Sequence, residues 1–121
     1  MKVSDETMLR YVILTHTWPT FHWDFMLEWE GKLLSWRILE EPTLDTPLTV
    51  QRTPDHRIEY LDITGPVSGG RGEVQQWDHG RLSIQSLKED EVCGLLESFK
   101  DTDNVSFTIK NDILKFSKES V

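Results

Sequence analysis

The sequence predicts a mainly β fold, a small closed or partly closed antiparallel β-barrel carrying one short helix. Three observations predict it: apolar and polar residues alternate through most of the chain, turn-forming residues interrupt the alternation at short intervals, and a helical period surfaces in one segment only. Closure follows because a barrel leaves no unpaired strand edge. The 121 residues form most simply one domain, 1–121, able to bury roughly two-thirds of its unfolded surface.

Taken in order, "LRYVILTH" (9–16) reads as the first strand through its Tyr, Val and Ile. "HWDFMLE" (22–28) is the second, with Phe21, Trp23, Phe25, Leu27 and Trp29 on one face and His22, Asp24, Met26 and Glu28 on the other. Between them Trp18-Pro19-Thr20 supplies a turn, since proline cannot donate into a central ladder. After a turn at Gly31 comes "LLSWRIL" (33–39), with bulky residues on both faces, then the Pro-bounded loop "EEPTLDTP" (40–47). "LTVQR" (48–52) reads as a short strand, and "HRIEYLDI" (56–63) as a better one that points His56, Ile58 and Tyr60 the same way. A glycine-dense loop, "TGPVSGGRG" (64–72), leads into "EVQQWDHGRLSIQS" (73–86), a hairpin-like pair around Asp78-His79-Gly80. The period then changes. Val92, Leu95, Leu96 and Phe99 recur at helical spacing, and Ser86 with Glu89 makes a capping-box pattern, so the helix is predicted over 87–99 with Cys93 on its apolar face. "VSFTIKNDILKFSK" (105–118) closes the chain as two strands joined at Asn111-Asp112.

With 13 Lys and Arg against 21 Asp and Glu, the net charge is −8. That field repels phosphate backbones at long range, so recognition of a nucleic acid has to be local. The single Cys93 forms no internal disulfide, "MKVSDETMLR" has no signal-peptide character, and no run reaches membrane-spanning length. A cytoplasmic setting without membrane contact is expected.

Two imidazoles and a carboxylate stand close together among aromatics at His16, His22 and Asp24. In one continuous strand His16 and His22 lie roughly 20 Å apart at about 3.3 Å per residue. A return at Pro19 sets them side by side, and Asp24 shares the face of His22. Such a set leaves coordination positions open for water and substrate, as a catalytic metal site requires, and suits Mn²⁺, Zn²⁺ or Fe²⁺. The plainer reading is a hydrogen-bonded pair at a barrel mouth. His56, with Tyr60 on its face, offers an imidazole to protonate a leaving oxygen and a phenol to donate to a phosphate. The plainer reading there is a His and a Tyr capping a strand. "SGGRG" offers backbone N–H groups and Arg71 to an anion, although such turns more often mark tight backbone geometry. Of the five tryptophans, Trp18 beside Pro19 is the one placed to stack on a nucleobase.

The ordered set H-x5-H-W-D-F-x-L-E, "LLSW" and "DHRIEYLDITGPVSGGRGEVQQWDHG" resembles the 3′-phosphoesterase module of bacterial and archaeal DNA ligase D, over about residues 11 to 82, in its short stand-alone form. The resemblance implies a small β-barrel holding a divalent metal, most simply manganese with zinc possible, that trims 3′-terminal ribonucleotides and 3′-phosphates from DNA ends during repair. By position His16, His22 and Asp24 match its metal ligands, and His56 and Tyr60 its active-site histidine and tyrosine. Three cations of the family pattern are replaced, by Met26, by Glu40 and near Leu48.

Two main readings follow. One is a metal-dependent phosphoesterase acting on nucleic-acid 3′ ends or small phosphate esters. The other is a metal-retaining binding module for phosphorylated ends or a DNA-repair protein partner, favoured by Met26, Glu40 and the net charge of −8, whereas His56 favours the first. A non-haem iron oxygenase is a third, because two histidines and a carboxylate also serve that chemistry.

Overall fold

The computed structural model describes residues 8–119. Nine strands run β1 (Leu9–His16), β2 (His22–Trp29), β3 (Lys32–Ile38), β4 (Leu48–Arg57), β5 (Gly65–Pro66), β6 (Glu73–Leu87), β7 (Glu91–Phe99), β8 (Thr102–Lys110) and β9 (Ile113–Lys118). Neighbours follow the order β1-β2-β3-β4-β9-β8-β7-β6, and β1 pairs in turn with β6, so eight antiparallel strands close a barrel. The short β5 adds to β6 from outside the ring, Gly65 opposite Val74.

Two-residue turns set much of the register. Glu30 and Gly31 both have positive φ, as do Asn111 and Asp112, the geometry whose twist matches the flanking strands. The β4–β9 seam is the thinnest, with Leu48 opposite Leu114 and Thr49 opposite Ile113. The Leu44–Phe116 bridge and an Asp45 N–H donating to Phe116 O at 2.6 Å cover it. A cavity of about 570 Å³ opens where β4 leaves β9, lined by Trp36, Arg52 and charges of both signs from 88–91 and 110–112.

The interior is one apolar cluster fed by every barrel strand, with Phe25 edge-on to Tyr11, Phe107 and Phe116. A second cluster lies on the opposite face of the same sheet: Val12, Leu14, Met26, Leu33 and Leu61, with Ile58 and Tyr60 packed against it. Alternation produces both, since β1 and β2 send odd-numbered residues inward and even-numbered ones out to this covered patch.

Three predicted elements differ. The helix expected over 87–99 is strand β7, with Val92, Gly94 and Leu96 buried in strand alternation and Cys93 half-buried. The decisive residue is Gly94: a Cβ there would stand 2.2 Å from Ser83 O and 2.8 Å from the Phe107 ring, so two elements close over a position that must have no side chain. The strand expected over 56–63 ends at Arg57, and Ile58–Leu61 is a 3₁₀ turn that drops Leu61 into the second cluster. Gln76 Nε2 donates to Leu61 O at 3.1 Å and holds it there. The hairpin expected at Asp78-His79-Gly80 is the middle of β6, which runs straight through because it is shared between β1 on its first half and β7 on its second.

Candidate metal centre and phosphate site

The β1–β2 hairpin does what the Pro19 turn predicts. His16 pairs with His22 as its last rung, their rings 5.0 Å apart, and Leu14 faces Asp24 one row below. The Trp18–Pro19 peptide bond is cis. His16, His22 and Asp24 each turn one ligand atom toward the others, all within 4.8 Å, on the outer face of the barrel rather than at its mouth.

The hydrogen bonds fix which ring nitrogens are free. His22 Nδ1 lies 2.7 Å from Thr20 O, and His16 Nε2 lies 2.8 Å from Arg71 O. A carbonyl oxygen only accepts, so each of these nitrogens carries the proton. In the neutral rings the other nitrogens, His22 Nε2 and His16 Nδ1, present lone pairs. Both face Asp24 Oδ2, at 3.2 and 3.8 Å. Three acceptors therefore converge with His22 and Asp24 almost fully buried, 1% and 7% exposed. A proton on one ring relieves one contact; a divalent cation relieves all three, and imidazoles steadied through their far N–H by backbone carbonyls are the usual dress of metal ligands. The donor set fits such an ion.

The covering segment 64–72 supplies the Arg71 carbonyl. Gly72 packs so closely on the hairpin that a Cβ there would meet Thr17 Oγ1 at 2.5 Å and Trp18 Cβ at 2.7 Å. Thr17 N–H donates to Glu73 O, and Glu73 N–H to Thr17 Oγ1. The Arg71 guanidinium turns back into its own loop, Nε donating to Ser68 O at 2.8 Å.

A cavity of about 150 Å³ joins these groups: His16, Asp24, His56, Tyr60 and Arg71 line it with Met26 and Trp18. At about 30 Å³ per water that is room for a few waters or one phosphoryl group. His56 and Tyr60 meet edge to face, ring centres 5.2 Å apart, though Tyr60 reaches this place from the 3₁₀ turn and not from a strand. His56 Nδ1 is buried with no hydrogen-bond partner. Although larger, the cavity at the β4–β9 seam brings together no such set of convergent groups. The smaller one gathers His16, Asp24, His56, Tyr60 and Arg71 in its lining.

Residues 14–117 match the DNA ligase D 3′-phosphoesterase domain. The chain belongs to this family. It is 38% identical over 79 residues to the multifunctional non-homologous end joining protein LigD of Pseudomonas aeruginosa, covering 60% of this chain and 9% of that one. It is 32% identical over 90 residues to the LigD DNA repair protein of Mycobacterium tuberculosis, covering 69% and 12%, and 33% identical over 85 residues to LigD of Mycolicibacterium smegmatis, covering 65% and 11%. The chain thus spans about a tenth of the length of these relatives.

Met26, Leu48 and Glu40, which stand at or near the places where the resemblance implies cations, have structural duties here. Met26 is 2% exposed in the second cluster, Leu48 is fully buried in the interior, and the Glu40 carboxylate accepts the Thr49 N–H. The W-D-x-G part of the motif is structural too. Tyr11 Oη stands 2.8 Å from Asp78 Oδ2 and 2.6 Å from Ser98 O, Lys100 N–H donates to the same Asp78 oxygen at 3.0 Å, and a side chain at Gly80 would strike the Tyr11 ring at 3.0 Å. Burial, then the Asp78 charge, push the Tyr11 hydroxyl pKa far above its ordinary 10.0.

One residue of this face was not singled out by motif reading. Arg37 on β3 stands directly opposite Asp24. The signal was present: the two-residue Glu30-Gly31 turn pairs Trp29 with Lys32, and stepping back along both strands brings Asp24 to Arg37.

Proposed function

We propose that this protein is a divalent-metal phosphoesterase that processes nucleic-acid 3′ ends, with DNA ends carrying a 3′-phosphate or a single 3′-ribonucleotide as its substrates and manganese as the preferred ion. The observation that carries the reading is the fixed tautomer pair: His16 Nδ1 and His22 Nε2 aim lone pairs at the space beside Asp24. His16, His22 and Asp24 would hold the ion, which supplies Lewis-acid polarisation of a phosphoryl oxygen when bound. Everything else falls to the chain's own groups. In hydrolysis of a 3′-phosphate, water attacks phosphorus and O3′ leaves; His56, protonated, hands its proton to O3′. Tyr60, packed against the His56 ring, holds that imidazole in place and donates its hydroxyl to a phosphoryl oxygen. Trp18 and Phe21, 44% and 55% exposed on the hairpin turn, offer ring faces to the terminal bases. The net charge of −8 keeps long duplex off the rest of the surface.

The test is turnover of oligonucleotides ending in a 3′-phosphate or one 3′-ribonucleotide, with Mn²⁺ and with Zn²⁺. His22→Ala serves as control. Activity lost in the control supports the reading, and equal activity in both proteins overturns it. A second reading, a binding module for phosphorylated ends or for a DNA-repair partner, is favoured by the structural commitments of Met26, Glu40 and Leu48. It predicts metal-dependent binding of the same oligonucleotides with no product.

A further inference from the structure

We propose that Arg37 supplies the anion-binding charge of this site, donating to a phosphoryl oxygen above the Asp24–Met26 wall from β3 instead of from position 26. The proposal rests on the phosphate-ester reading above, and begins from a count of unmet hydrogen bonds. Five buried side-chain polar atoms among the described residues have no partner, and four of them are Ser35 Oγ, Arg37 Nε, Thr53 Oγ1 and His56 Nδ1. The register puts all four on one surface: Met26 faces Ser35, Ser35 faces Thr53, and Leu33, of the same parity as Ser35, faces His56. The fifth, Trp23 Nε1, belongs to the opposite face of β2 and packs against the interior cluster.

Buried polar groups are normally satisfied, so four orphans on one face call for a shared cause. Three of them belong to a guanidinium and two hydroxyls, groups that donate. A phosphoryl group presents acceptors only, and is the complement of that set.

Arg37 is the charged member. It pairs directly with Asp24, an arrangement that sets Cβ atoms about 5 Å apart. Even so no ion pair joins them, because Asp24 Oδ2 is turned to the two histidines. The fork is thereby left for another anion, one strand over from the cavity that His16, Asp24 and His56 line. Arg37 does not itself line that cavity, and rotation about its outer side-chain bonds is required to bring the fork over that wall. Arg71, the cation that does line the cavity, is engaged with Ser68 and gives the histidine its carbonyl instead. In this reading the cation absent at Met26 stands on the neighbouring strand, two residues beyond Ser35, the residue that faces Met26.

The test compares binding of two single-stranded oligonucleotides of one sequence, ending in 3′-phosphate or 3′-hydroxyl, to manganese-loaded and metal-free protein. Wild type, Arg37→Gln and Arg37→Lys are measured together with metal content and urea midpoint. The expected result is about tenfold preference of wild type for the phosphorylated end, a weaker preference without metal, a ratio near one in Arg37→Gln and partial recovery in Arg37→Lys. Metal content and midpoint stay unchanged. A preference that survives Arg37→Gln overturns the proposal, as does a wild-type ratio of one. A ratio that falls only together with metal content or stability also overturns it, since Arg37 would then be a packing residue. Turnover and His22→Ala read the phosphoesterase itself: preference without turnover keeps Arg37 and removes catalysis, and turnover indifferent to Arg37 removes this proposal alone.

Discussion

Two aspartates flank β1 on consecutive rungs, and the groups turned toward them differ in kind. Asp78, opposite Ile13 on β6, meets donors: the Tyr11 hydroxyl and the Lys100 N–H. Asp24, opposite Leu14 on β2, meets two imidazole nitrogens whose protons are committed to carbonyls on the far side. The first carboxylate is complete within the chain. The second is complete only with a cation or a proton from outside. Asp24 is buried and Asp78 half-buried, yet both are carboxylates on strands beside β1, so a carboxylate held within the sheet does not by itself identify a functional site. What distinguishes them is whether the neighbours give protons or lone pairs, and that follows from which ring nitrogen the backbone has claimed.

The sharpest way to break this comparison is to remove each carboxylate. Asp24→Ala is expected to cost more than about a hundredfold in Mn²⁺ affinity, since loss of mere supporting partners already costs ten- to a hundredfold at metal sites. Elemental analysis of purified protein after dialysis checks it. Equal metal in wild type and Asp24→Ala would place the ion elsewhere or nowhere.

Met26→Arg comes next in size. Met26 is packed with Val12, Leu14, Leu33 and Leu61, so a guanidinium placed there is expected to cost about 3 kcal/mol of stability as a buried charge without a partner. Met26→Leu, similar in volume, should cost less than about 1.5 kcal/mol. Urea unfolding of both variants reads the difference. Because Met26 also lines the cavity, inorganic phosphate should recover part of the Met26→Arg loss. An unchanged midpoint without phosphate would mean that position 26 is open, as the family pattern implies.

Asp78→Ala works on the closed carboxylate. It leaves the Lys100 N–H without its acceptor and takes one of two partners from Tyr11, a loss of about 1–3 kcal/mol. Metal content should not change. A fall in bound metal with Asp78→Ala would dissolve the distinction between the two regions.

These same residues mark how much the sequence discloses. Strand parity and Pro19 are local signals, and they suffice to bring His16, His22 and Asp24 together. The pairing of His56 with Tyr60 came from the wrong element: the strand ends at Arg57, and the 3₁₀ turn Ile58–Leu61 brings the Tyr60 ring back onto His56. Tertiary packing decided the rest. Val92, Leu95, Leu96 and Phe99 fit a helix on spacing alone, and what forbids it is the Phe107 ring and the Ser83 carbonyl pressed on Gly94, contacts from strands eleven or more residues away. Asp78 and Gly80 were legible as a pattern but not as a duty, because their partner Tyr11 lies 67 residues from Asp78 in the chain. Arg37 lay between these cases. Its place opposite Asp24 follows from a two-residue turn that is plain in the sequence, yet only the unmet hydrogen bonds around it make the place meaningful.

Asp55 supplies a third carboxylate and the smallest effect. It accepts from Arg52 Nη2 at 2.7 Å and pairs with Lys32 Nζ at 2.9 Å, in water at the barrel surface. The Arg52 hydrogen bond first, then that of Lys32, holds its pKa below the ordinary 3.8. A pKa lowered by folding means stability that is present above the unfolded value and lost as pH falls through the folded one. Asp55→Asn should therefore cost under about 1 kcal/mol at pH 7, in the range of exposed ion pairs, and the gap should close in acid below about pH 4 and in high salt. Urea midpoints of the two proteins across that range check it. A gap that persists in acid would assign Asp55 a role as a hydrogen-bond acceptor independent of its charge, closer to Asp78 than its exposure allows.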